Sequence, residues 1–365
     1  MPRPLLNIDA PDDVAEQLEQ VAQALYARWL LEPAQAAAVV ERWVHGEDLH
    51  ADSNWVYLHE TPEYWAGFLF HRFVLHDDDA CPDDCRVEAW KIHRSGRRMI
   101  EPDAVLLLGM PSTSTAELLA DAAARRGIEV RRVSGPRDLT GLPGRPVYWY
   151  GGPLAADRVA PEFGIGLLEP DDDWLPWLGR RLTGRRVKAA MLAEAWSLKG
   201  PAFVKPPSAK SFPARVYADG SDLPRMDQGL MPETPVLISE VISVAAEYRL
   251  FLLDGEVVAA SRYAVHGRLD AAPLDGDPRE REVLAFAKTV ARRRHSLPSG
   301  VVVDIGLARD LSTGRERWVV VEANMAWFAH CYTADPDRVL DVVLRSAGPL
   351  TNIAASDFAY LHART

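Results

Sequence analysis

Apolar positions recur along this chain in several rhythms, and each predicts a different kind of element. Over residues 12–44 they fall at helical spacing (Val14, Leu18, Val21, Leu25, Trp29) around one proline, Pro33, which predicts two helices broken there. Residues 54–101 are rich in aromatics and histidine, with Thr61 and Pro62 placed as N-cap and first position of a further helix. From residue 103, DAVLLLGMP reads as a buried strand, STSTAELLADAAARRG as a helix with a glycine stop, and IEVRRV and RPVYWYGGP as two more strands. Strand–helix–strand means a small parallel α/β unit. The Pro/Asp-rich residues 169–177 read as a linker. Beyond it, GRRVKAAMLAEAWSLKG predicts a helix stopped by glycine, and PAFVKPPSAKSFPARVY a strand, a loop and a strand. PVLISEVISVAAEYRLFLLDGEVVAASRYAV alternates as short antiparallel strands, with Asp254-Gly255 as a hairpin turn. A helix over PREREVLAFAKTVARRR, a hairpin over residues 301–327 and a helix at 335–346 complete the pattern.

The polar exceptions inside these apolar runs carry the chemistry. In VVVDIGLARDLSTGRERWVVVEANMAW two β-branched strands flank a polar turn, yet the first holds Asp304 and the second Glu322 and Asn324. Glu322 and Asn324 are two apart, so they share a sheet face, and Asp304 can lie opposite them. Three hard oxygen donors on one face suit Mg²⁺ with phosphate oxygens. The competing reading is a structural network of buried acids. Lys205 ends the apolar strand AFVKPP, where it can neutralise a phosphate as a point charge. Lys188 and Lys210 are further candidates, against the plainer role of lysines snorkelling at a surface. In LISEVISVAAEYRLF a strand runs out at Glu240. The segment that follows can offer main-chain groups to a purine ring, with Val241 and Ile242 packing on it and Glu247 taking ribose hydroxyls. An ordinary strand–turn–strand with surface acids is the alternative.

Bulk properties narrow the classes. The 365 residues, 48% of them hydrophobic, suffice for two or three domains with real cores. A net charge of −11 argues against a nucleic-acid or acidic-membrane binder, although the local clusters Arg180-Arg181, Arg185-Arg186 and Arg292-Arg293-Arg294 can hold phosphates. Three cysteines make no disulfide framework, so a reducing cytoplasm is expected, and no apolar run suggests a signal peptide or membrane span. His71, His76, Cys81, Cys85 and His93 have spacing compatible with zinc, but the acids of DDDACPDDC fit an exposed acidic loop. HETPE lacks the second histidine of a metalloprotease. The first strand–helix junction at residue 109 lacks GxGxxG, which speaks against a nicotinamide cofactor.

Taken in order, these features resemble the ATP-grasp superfamily over roughly the last 185 residues. The matching pieces are Lys188, FVKP with Lys205, the hinge Glu240-Val241-Ile242, Glu247, Asp304 and the E-x-N of Glu322 to Asn324. YRLFLLDGEVVAASRY, with Arg249 and Arg262, looks most like the branch named for two arginines and a lysine. The resemblance implies an α/β chain of α+β ATP-grasp type. A helix-rich accessory domain over 1–100 would precede a small pre-ATP-grasp domain over 101–178 and a two-subdomain ATP-grasp domain over 179–365. It implies ATP bound by Lys188, Lys205, Lys210, Glu240, Val241, Ile242 and Glu247, and two Mg²⁺ ions held by Asp304, Glu322 and Asn324. The activity implied is ADP-forming ligation of a carboxylate to an amine through an acylphosphate, on small-molecule substrates such as amino acids or on peptides, with a homodimer left open. Another acceptor (a kinase or a carboxylate–thiol ligase) and a non-catalytic nucleotide-binding module are the alternatives. There are departures from the pattern. D-alanine–D-alanine ligases carry an arginine two residues before the magnesium Asp; here that place is Val302. Arg249 and Arg262 are the candidates to take over, with structural salt bridges as their alternative job. His266 and Arg268 would lie near the acyl substrate. The glycine-rich phosphate loop is replaced by PSAKSFPAR, and the proline after the magnesium Asn by Met325.

Overall fold

A computed structural model describes residue 6 and residues 12–29, 31–46, 65–66, 69, 103–207, 211–291, 297–309 and 314–362. Lys210, the candidate zinc residues and the helix start at Thr61 lie outside these. The chain divides into two compact units, residues 1–102 and 103–365. In the first, helices α1 (Asp12–Trp29) and α2 (Pro33–Gly46) bury the stripe the spacing predicts, with Leu18, Val21, Leu25, Val40 and Trp43 in its core. Pro33 opens α2 at a position where its missing N–H costs nothing. Trp43 stacks on Trp65 with ring centroids 4.9 Å apart.

The second unit begins with the expected parallel sheet. Strands β1 (Val105–Gly109), β2 (Glu129–Val133) and β3 (Val147–Tyr150) pair in the order β2-β1-β3, and helix α3 (Ser114–Arg125) connects the first two. Thr113 caps α3 by accepting from the Ala116 N–H. Helix α4 (Pro153–Phe163) and strand β4 (Ile165–Leu167) follow. The residues read as a linker are instead anchored. A helical turn, Trp174–Trp177, buries Trp174 and Leu175 in the core of the largest sheet, which its two apolar side chains require.

Residues 187–191 overturn the predicted helix at 184–200. They form strand β5 (Val187–Met191), and only one helical turn, Leu192–Ala195, follows. Four alanines and no prolines over 184–200 favour helix locally, but pairing with strand β8 (Pro235–Ser239) decides the outcome. A four-stranded antiparallel sheet results, order β5-β8-β6-β7, with β6 (Ala202–Lys205), β7 (Arg215–Tyr217) and β8 (Pro235–Ser239). The five-stranded antiparallel sheet has the order β11-β10-β9-β12-β13, built from β9 (Ser243–Leu253), β10 (Glu256–Val265), β11 (Arg268–Pro273), β12 (Gly300–Arg309) and β13 (Glu316–Asn324). Asp254 and Gly255 both have positive φ, as the tight β9–β10 turn demands. Helix α5 (Glu280–Ala291) covers one face, packing Val283, Ala287 and Val290 against Tyr248, Leu250, Val303 and Ile305. Helix α6 (Pro336–Ser346) leads into β14 (Ala347–Pro349), which pairs with β4. The mixed architecture expected from the sequence is the one found.

The C-terminal strap is fastened by His362. Its Nδ1 lies 2.8 Å from Glu169 and its Nε2 2.8 Å from Asp157, and its ring meets Trp327 edge-on. Burial disfavours the imidazolium, but hydrogen bonds and charges from Glu169 and then Asp157 outweigh it and raise the pKa. A raised folded pKa stabilises fully below the unfolded value of about 6.5 and loses its effect as pH rises through the folded value. Melting temperature should therefore fall faster between pH 6 and 8.5 in the natural protein than in His362→Asn. Parallel curves for the two would show that the clasp does not titrate.

Candidate active site

One face of the five-stranded sheet carries a row of charges that begins on β9 and crosses β12 and β13. Register makes the row: Arg249 on β9 lies opposite Asp304 on β12, and Asp304 lies opposite Glu322 on β13. Cross-strand partners share a face, so the three side chains stand side by side. The Arg249 guanidinium holds both Asp304 oxygens, at 2.9 and 2.7 Å. Lys205, reaching over from the four-stranded sheet, donates to Glu322. Asn324 donates to Glu322 at 3.0 Å and to Asp304 at 3.4 Å. Two carboxylates and an amide are thus gathered as the sequence spacing predicts, flanked by one cation on each side.

Burial sharpens the electrostatics. Asp304 is 1% exposed, and burial pushes its carboxyl up against the pull of Arg249. Burial also acts to raise Glu322, but the charge and hydrogen bond of Lys205, with help from Asn324, bring it below the usual carboxylate range. Asp304's charge overcomes the desolvation of Arg249 and raises its pKa. Such a row is stable only while each acid keeps a cation, because an unpaired buried carboxylate is costly. The donors themselves are hard oxygen ligands, so the set fits magnesium.

A register shift between Asp304 and Ile305 marks a β-bulge: Asp304 pairs with Glu322 but Ile305 pairs with Val320, leaving Val321 as the extra residue. Bulges of this kind re-aim a neighbouring side chain. A second set of groups, which the sequence reading missed, borders the row. Tyr263 and Tyr332 stack with centroids 5.2 Å apart, and the Arg249 guanidinium lies over both rings, 5.6 and 5.3 Å from their centroids. Tyr263 donates to Glu247 at 2.8 Å. Burial pushes Glu247 up, against that hydrogen bond. Arg249 also donates to the His330 carbonyl at 3.3 Å. Tyr263 had no signal in the sequence, since it is a second bulge, skipped between the pairs Arg262–Tyr248 and Ala264–Glu247, that turns it inward.

Other predicted residues lie elsewhere. Arg262 pairs across the strand with Tyr248, on the face covered by α5, and is tied to Asp277 at 3.0 Å and Asp270 at 2.7 Å. It is not brought to the row. Lys188, on β5, is exposed and pairs with Glu194. Glu240 follows β8, accepts the Arg186 N–H at 2.9 Å and faces Arg180 at 3.1 Å; Val241 beside it is half exposed. Val302 is fully buried, so its place in the row's strand is taken up by core packing. A cleft between the two sheets is lined by Asp171, Asp172, Trp174, Lys205, Leu237 and Glu322. Among the described residues no helix is long and apolar enough to cross a membrane.

Comparisons with known proteins find similarity over part of the chain. Residues 182–342 match a family model described as an ATP-grasp domain, the second family of its clade. No curated protein matches the chain. Among solved structures it is similar to D-alanine–D-alanine ligase from Bacillus anthracis, at 13% identity and a TM-score of 0.41 over 67% of this chain and 97% of that one. It is similar to a RimK domain ATP-grasp protein from Sphaerobacter thermophilus, at 16% identity and a TM-score of 0.35 over 66% and 99%. The macrocyclase MdnC bound with precursor peptide MdnA, from Microcystis aeruginosa, gives 12% identity and a TM-score of 0.38 over 67% and 99%. Residues 182–342, the stretch that matches the ATP-grasp domain model, contain the whole charged row.

Proposed function

We propose that the protein is an ATP-dependent carboxylate–amine ligase that forms ADP and works through an acylphosphate on amino acid or peptide substrates. The observation that carries the reading is the row itself: Asp304, Glu322 and Asn324 on one sheet face, closed by Lys205 from the facing sheet, inside an ATP-grasp domain. In this reading Asp304, Glu322 and Asn324 hold magnesium, which supplies charge neutralisation for the phosphates when bound. Lys205 leaves Glu322 to meet a phosphate oxygen. The hinge Glu240–Ile242 lies against the purine, and Glu247 exchanges its tyrosine partner for ribose hydroxyls. A substrate carboxylate attacks the γ-phosphorus, and the bond to the β–γ bridging oxygen breaks to release ADP. The amine then attacks the acyl carbon, phosphate departs with the C–O bond electrons, and the amine nitrogen gives up a proton. Such transfer needs positioning and charge more than a covalent protein nucleophile. Arg249, with one edge on Asp304 and its face on Tyr263 and Tyr332, would hold charge at the acyl centre, the role Val302 cannot take. The reading includes the branch named for two arginines and a lysine, and the division into domains 1–100, 101–178 and 179–365.

The test is ADP release from the pure protein with Mg·ATP against amino acids and short peptides, singly and in pairs. ADP formed only when carboxylate and amine are both present is the expected result. ADP formed with one compound alone points to a kinase, and nucleotide binding with no ADP in any mixture points to a non-catalytic module.

A further inference from the structure

Arg185 belongs to a basic pair that the sequence offers as a phosphate contact, yet it is 7% exposed and turned into the protein. Its guanidinium donates to three main-chain carbonyls: Thr183 at 2.9 Å, Val320 at 3.0 Å and Val321 at 3.1 Å. The last two belong to the bulge beside Glu322. β13 is the edge strand of its sheet, so carbonyls on its outer side have no ladder partner. The bulge adds one more unpaired position there. Arg185 is the side chain that satisfies them.

The segment carrying Arg185 is pressed against β13 with no spare room. Gly184 has a φ of +67°, and a Cβ on it would come within 2.3 Å of Val319. Arg317 on β13 donates back to the Gly184 carbonyl, and Thr183 closes the turn by donating to the Arg185 carbonyl at 2.6 Å. A neutral donor would satisfy two carbonyls at less cost than a buried charge. Among the described residues Arg185 has no salt bridge; Glu322 is the acid whose charge acts on it, opposing the effect of burial on its pKa. A fork of fixed geometry holds two successive carbonyls in a way that a flexible ammonium does not.

We propose that Arg185 is a positioning residue for Glu322: its buried fork fixes the β13 bulge and so aims the Glu322 carboxylate into the charged row. The proposal rests on the reading of Glu322 as a metal ligand. Its test is Mn²⁺ binding in the presence of ADP, followed by the loss of free-Mn²⁺ resonance, for the natural protein, Arg185→Met, Arg185→Lys and each of these with Glu322→Gln. Outer residues that orient metal ligands cost about 10–100-fold in metal affinity when changed. That loss is expected for Arg185→Met and, in the same direction, for Arg185→Lys. In the Glu322→Gln background the same changes should move affinity less than about twofold, because the ligand they aim is gone. A purely structural arginine would weaken binding equally in both backgrounds, and that additivity would overturn the proposal. Should Arg185→Met not fold, Arg185→Lys decides: affinity equal to the natural protein's overturns it. A natural protein that binds no Mn²⁺ with ADP overturns the metal reading first, and this inference with it.

Discussion

Replacing Glu322 by glutamine should lower ADP release by on the order of 10²–10³-fold, the range seen when one preorganised electrostatic group is removed from a reacting centre. The same substitution should cost about 1–3 kcal/mol of stability. The two effects have different origins. On the proposed reading, activity falls because the glutamine amide cannot give the metal a charged oxygen. Stability falls because Lys205, only 13% exposed, loses the carboxylate it donates to across the two sheets. The double variant Lys205→Met with Glu322→Gln separates them: it should regain most of the stability and none of the turnover. Thermal melts beside an ADP assay read both quantities. Turnover that survives Glu322→Gln while stability drops would identify the pair as a structural tie alone.

Arg249→Met should have the largest effect on folding of any single change in the row. It leaves the Asp304 carboxylate 1% exposed with both oxygens stripped of their bidentate partner. Breaking a buried pair from one side costs about 3–5 kcal/mol, or roughly 10 °C in melting temperature for a unit of this size. Removing both charges with Arg249→Met and Asp304→Leu should recover most of that, since a well-packed apolar pair can equal a buried ion pair. Neither variant should release ADP. A melting temperature within a degree or two of the natural protein for Arg249→Met would mean that Asp304 finds another cation.

Much of the row was legible because β-strand alternation is rigid. Glu322 and Asn324 had to share a face, and the polar turn of the hairpin left Asp304 able to face them; the observed pairing is Asp304 with Glu322. What sequence could not reveal lies in single-residue shifts. A regular two-residue turn at Asp254-Gly255 would set Arg262 opposite Glu247, on the face of the row. The register instead slips between Val257 and Ala259, so Arg262 meets Tyr248 and falls on the opposite face. The contact of Arg249 with Asp304 was hidden for a related reason. It depends on β9 pairing with β12 across 55 residues of chain, a non-local choice that no local pattern encodes. Residues 187–191 show the converse error, a locally helical composition drawn into a sheet by its neighbour β8.

The order of signs across the row, positive, negative, negative, positive, has a consequence for how a polyanion approaches. The chain as a whole carries −11, which by itself repels a nucleotide. Within the row itself the charges cancel, since Arg249 offsets Asp304 and Lys205 offsets Glu322 one for one, while Asp171 and Asp172, which also line the cleft, belong to the exposed acidic surface. What remains is the field of the outer surface, which fades over about 8 Å at physiological salt. Association with a triphosphate should then quicken as salt is added at low ionic strength, the reverse of what a basic nucleotide cleft would give.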